Sequence, residues 1–145
     1  MFIVLASLFI VAGYRLFDIG GIAPNILLVA LVLFVLNSRR FTFVLAEILF
    51  LIVFAVFFTP QWTSFVVAAG VIALAVFFLK DSLTGTRFLD FLGAVLTGTF
   101  VFYLVIGIAR LSSLPFADIT LEALYNLILG SVLWVALDGK IVIRS

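Results

Sequence analysis

Residues 41–79 read FTFVLAEILFLIVFAVFFTPQWTSFVVAAGVIALAVFFL, two apolar runs joined by Thr59-Pro60-Gln61-Trp62. Each run is close to the ~20 residues that cross a hydrocarbon core. Arg39 and Arg40 precede the pair, and Lys80 and Asp81 follow it. Lipid offers no partners for backbone N–H and C=O groups, so a span must satisfy them within itself as a helix. The runs do not alternate polar and apolar positions as barrel strands do. The stretch therefore predicts a helical hairpin in a membrane.

The rest of the chain agrees. Of 145 residues, 67% are hydrophobic and 10% charged, and the mean hydropathy is +1.50. So few charges cannot clothe a soluble globule of this size. The eight Lys and Arg residues are scattered, without a basic stripe that would suit nucleic acid. Cysteine and histidine are both absent, which excludes disulfides, thiol chemistry and a Ser-His-Asp triad, and removes the commonest metal ligand. No catalytic group, cofactor site or metal site is expected.

Working outward from the hairpin, the sequence predicts an all-α polytopic bundle of about six spans in one integral membrane domain. The expected helices cover about 1–14, 23–36, 41–58, 62–79, 88–109 and 119–137. The first is short and lacks the basic n-region and small-residue site of a cleaved signal peptide. Pro24 is placed in the first turn of the second span, where a missing N–H does no harm. Six spans put Arg39, Arg40, Lys80, Arg87, Lys140 and Arg144 on one side, against Arg15 and Arg110 on the other. That excess of basic residues predicts that both termini are cytoplasmic. Trp62 and Tyr14 fit interfacial anchors on the outer side.

Few side chains could carry chemistry. Glu47 lies about two turns into the third span, where a carboxylate must be paired, protonated or hydrated. A proton, ion or substrate site is one reading; the favoured one is a buried structural carboxylate, with Arg40 or a neighbouring helix as its expected partner. Asp90 and Glu122 lie near helix starts and suit the positive end of a helix dipole. Asn126 is the deepest amide, with interhelical hydrogen bonding as its expected role. Ser-Leu-Thr-Gly-Thr at 82–86 has no phosphate-binding lysine, and Gly20-Gly21 lacks the spacing of a dinucleotide loop.

Small residues map the expected packing faces. Ala69 and Ala73 are four apart with Gly70 alongside; Ala94 and Gly98 are four apart, flanked by Gly93 and Thr97; Asn126 and Gly130 repeat the spacing. Such pairs allow close helix approach. They predict that the fourth, fifth and sixth spans touch one another.

The opening of the second span, Gly21-Ile22-Ala23-Pro24-Asn25-Ile26-Leu27-Leu28, resembles the start of the same helix in MreD-like rod shape-determining proteins, and Arg39-Arg40 resembles that family's short cytoplasmic turn. The resemblance implies a non-enzymatic inner-membrane scaffold of the cell-wall elongation machinery, working with a membrane-anchored MreC-like partner and a cytoplasmic filament. That family shares a six-helix fold with the substrate-binding subunits of energy-coupling-factor transporters. The alternative expectation is therefore a small-molecule transport subunit with an outward pocket drawn from Asp18, Gln61, Trp62, Asp118 and Glu122. The lipid bilayer is the first partner under either reading, and a bound small molecule is the less favoured expectation.

Overall fold

A computed structural model describes residues 25–58, 62–82, 86–110 and 116–138. Every regular element among them is helical: α1 (Ile26–Asn37), α2 (Phe41–Phe58), α3 (Trp62–Leu79) with a 3-10 turn at Lys80–Ser82, α4 (Arg87–Arg110) and α5 (Phe116–Asp138). Three helical stretches are long and apolar enough to cross a membrane: Thr63–Ser82, Arg87–Gly107 and Phe116–Ala136. With α1 and α2 apolar as well, the chain is a membrane protein with an all-helical architecture. The expected first span, the 59–61 turn and the tail after Asp138 lie outside the described residues.

The hairpin has the limits expected of it, 41–58 and 62–79. The other helices shift by a few residues. α1 begins at Ile26 rather than residue 23, because Asn25 is its N-cap: the Asn25 Oδ1 accepts the Leu28 N–H at 3.0 Å. α4 gains one residue at each end. α5 starts at Phe116 rather than residue 119, directly after Pro115, and carries Asp118 in its first turn.

The helices do not pack as a simple ring of sequence neighbours. α2 packs on α3, α3 on α4 and α4 on α5, while α1 lies against α3, α4 and α5 together. Of the expected mutual contacts of the fourth, fifth and sixth spans, two are extensive. α3 meets α4 and α4 meets α5, but α1 bridges α3 and α5.

Side-chain size explains this arrangement. α1 carries one aromatic residue, Phe34, among Val, Leu, Ile and Ala. Its slim side chains let three helices close around it, and Val29, Val32 and Val35 have no exposed surface. Glycines admit the closest approaches. A Cβ at Gly98 would meet Ile72 Cγ2 at 3.3 Å and Leu28 Cδ1 at 3.7 Å; one at Gly130 would meet the Phe91 ring at 3.1 Å and Val29 Cγ1 at 3.6 Å. Both sites thus place a helix against α1. Phe91 is held in turn by stacking on Trp134, with ring centroids 5.2 Å apart.

Both ends of α1 are closed by side chains. At the C-terminal end the Asn37 Nδ2 donates to the Leu33 carbonyl at 2.8 Å, and the Ser38 hydroxyl donates to the Phe34 carbonyl at 2.9 Å. Lys80 reaches from the end of α3 to donate to the Ser38 carbonyl, its ammonium lying 4.1 Å from the Phe77 ring centroid. A helix end without such partners would leave costly bare carbonyls inside the bundle.

Candidate functional site

Three of the four buried polar residues among those described, Thr99, Glu122 and Asn126, gather at a junction of α1, α4 and α5. Asn126 is fully buried on α5. Its Oδ1 accepts the backbone N–H of Asn25 at 2.7 Å, and its Nδ2 donates to the Thr99 Oγ1 on α4 at 3.0 Å. Thr99, also fully buried, donates its own hydroxyl hydrogen to the Val95 carbonyl at 2.9 Å. One turn before Asn126, Glu122 is buried and accepts a hydrogen bond from the Tyr103 hydroxyl of α4.

The local sequence dictates this geometry. Glu122 and Asn126 are four apart and so share one face of α5. Thr99 and Tyr103 have the same spacing on α4, and the two faces meet. Asn25 enters from the side: its side chain caps α1 while its backbone N–H is spent on α5. One residue thus seals a helix end and ties it to a segment 101 positions later. An amide can donate and accept at once, which lets Asn126 serve two helices. In a low-dielectric interior a satisfied network of this kind fixes one relative placement of helices.

The sequence-derived candidates fare differently. Asn126 has the interhelical role expected of it, but its partners Asn25, Thr99 and the neighbouring Tyr103–Glu122 pair were not foreseen. Glu122 is not an interfacial first-turn acid: three extra residues at the start of α5 carry it deeper and against Tyr103. Ala69 and Ala73 are buried on α3, and Ala94 is half-buried on α4. Gly98 and Gly130 make their closest contacts on the expected helices, to Ile72 of α3 and Phe91 of α4, and each also meets α1, which the small-residue spacing did not indicate.

Glu47 stands apart. It lies half-buried between Val44 and Leu51, the two buried positions among the described side chains of α2. Its Oε2 is buried and has no hydrogen-bond partner among the described residues. The expected Arg40 pairing is not formed, and Arg40 is exposed at the start of the helix. Of the outer-pocket set, Asp118 is exposed and Glu122 is engaged with Tyr103. Asp18, Gln61 and the side chain of Trp62 lie outside the described residues. No protein-family model, curated protein or solved structure matches the chain.

Proposed function

We propose that the chain is a non-catalytic scaffold subunit of a multi-component complex in the bacterial inner membrane, of the MreD-like kind concerned with cell-wall elongation. In this reading it spans the membrane six times with both termini in the cytoplasm. The observation that supports it is the use made of the polar groups at the α1–α4–α5 junction. Asn126, Thr99 and Asn25 spend their hydrogen bonds on one another and on the backbone, and Glu122 is taken up by Tyr103. Side chains engaged in this way hold helices in register, which is what a scaffold asks of its interior. The opening of α1 and the Arg39-Arg40 turn supply the link to the family.

The test is co-purification from native membranes in a mild detergent. Recovery of a membrane-anchored periplasmic protein together with a cytoplasmic filament protein supports the proposal. Recovery of neither, combined with thermal stabilisation by a vitamin-sized molecule, would replace it with the transport reading.

A further inference from the structure

At one end of the bundle, four segments converge on a cavity of about 260 Å³. Ser38 and Arg39 come from the turn after α1, Lys80 from the 3-10 turn after α3, Arg87 and Asp90 from the start of α4, and Trp134 from the last turns of α5. Arg39, Lys80 and Arg87 outnumber the two lining carboxylates, Asp81 and Asp90. Lys80 is already fixed by the Ser38 carbonyl and the Phe77 ring, so one cation is held in place at the wall.

A second, apolar space begins beside it. A groove of about 620 Å³ runs between α3 and α4, from Leu79, Leu89 and Asp90 at the cavity end to Val71 and Val101. Asp90 lines both spaces. The 12 steps from Leu89 to Val101 rise ~18 Å along α4, which is more than half the depth of one hydrocarbon core of ~30 Å. The floor is made of Gly93, Ala94 and Gly98, and a Cβ at Gly93 would meet nothing within 4 Å.

A basic polar cavity and a long apolar groove that share Asp90 as a wall match one chemistry. We propose that this is a binding site for an anionic phospholipid, with the headgroup phosphate among Arg39, Lys80 and Arg87 and one acyl chain in the α3–α4 groove. The guanidinium groups suit a phosphate because their planar fork of donors meets its oxygens two at a time. The charges select the lipid class, since juxtamembrane cations attract anionic headgroups. The groove selects a lipid over a free phosphate. Trp134 lines the cavity, and its amphipathic ring suits the headgroup level of a bilayer. The bound lipid bridges the turn after α1, the end of α3 and the start of α4.

Native mass spectrometry of the full chain in neutral detergent tests this. The probes are dioleoyl phosphatidylglycerol, dioleoyl phosphatidylcholine and inorganic phosphate. Wild type should bind the glycerol lipid at least about tenfold more tightly than the choline lipid, with affinity falling as salt rises. The Arg39→Gln/Arg87→Gln double variant should lose about thirtyfold in affinity for the glycerol lipid and most of that preference. Both residues are exposed, so the fold does not depend on them. Gly93→Leu places a side chain in open space and should weaken binding of the lipid with its headgroup contacts intact. Equal binding of the two lipids, or a salt-independent affinity of the wild type, overturns the proposal. So does inorganic phosphate that displaces the glycerol lipid while Gly93→Leu binds like wild type, which would leave a phosphate site and no lipid site.

Discussion

α1 and α2 are both built almost wholly of apolar residues, yet they occupy opposite places. In α1, Ile26, Leu28, Val29, Leu31, Val32, Leu33 and Val35 are buried. In α2, Phe43, Leu45, Leu49, Val53 and Val56 are exposed, while Val44 and Leu51 are buried. Lipid is as apolar as leucine, so hydrophobicity places a helix in the membrane without choosing its neighbours. What separates these two is bulk and termini. α2 carries six Phe residues and packs on α3. α1 carries one Phe, and polar side chains close it at both ends.

The largest expected effect comes from truncating the same residue type in the two helices. Leu31→Ala in α1 should destabilise the bundle by about 2–5 kcal/mol, since it opens a cavity among three helices. Leu49→Ala in α2 should stay within about 0.5 kcal/mol. Sodium dodecyl sulfate unfolding from mixed micelles, followed by circular dichroism, measures both. Equal losses would erase the distinction between a central and a peripheral helix.

Glycines give the next contrast. Gly130→Leu drives a side chain into Phe91 and Val29 and should cost about 1–3 kcal/mol. Gly93→Ala meets open space and should be neutral or stabilise by up to about 1 kcal/mol. If Gly130→Leu unfolds at the wild-type detergent concentration, α5 does not approach α1 as closely as described.

Removing the amide comes third. Asn126→Leu strands the Asn25 N–H and one Thr99 acceptor and should cost about 1–2 kcal/mol. A Thr99→Ala/Asn126→Leu double variant should lose less than the sum of its singles, because the two side chains share one bond. Strict additivity would mean the network does not act as a unit.

The smallest effect is expected at Glu47. Its buried Oε2 lacks a partner among the described residues, so Glu47→Leu should stabilise the chain by about 1 kcal/mol by removing an expensive polar group from the span. A loss of stability of that size instead would show that the carboxylate holds α2 in place.

The hairpin was legible in the sequence because its signals are local. Basic residues flank it, Pro60 breaks it, and two unbroken apolar runs lie between, so the limits of α2 and α3 could be read directly. Asn126 could be picked out by depth alone. Its partners could not, because nothing in a helix of uniform hydropathy marks the face that meets another helix. Thr99 looks like any small residue in an apolar run, and Asn25 reads as the residue after a proline. Glu122 lies nearly a full turn farther into α5 than the sequence predicts, because the helix begins three residues earlier, at Phe116. The central position of α1 left a trace in its lack of aromatic bulk, and that trace has meaning after the neighbours are known.

The Asn25–Asn126 hydrogen bond also bears on biogenesis. Membrane chains are inserted from the N-terminus as they are made, so α1 enters the bilayer long before residue 126 exists. Until α5 follows, α1 lacks both the acceptor for the Asn25 N–H and the wall formed by Gly130. The span that becomes the centre of the bundle must therefore wait in lipid or with an insertion factor, and the arrival of α5 seals the first described helix. A nascent chain stalled before residue 126 would present that waiting surface to the quality-control machinery, and one completed beyond Asp138 would withdraw it.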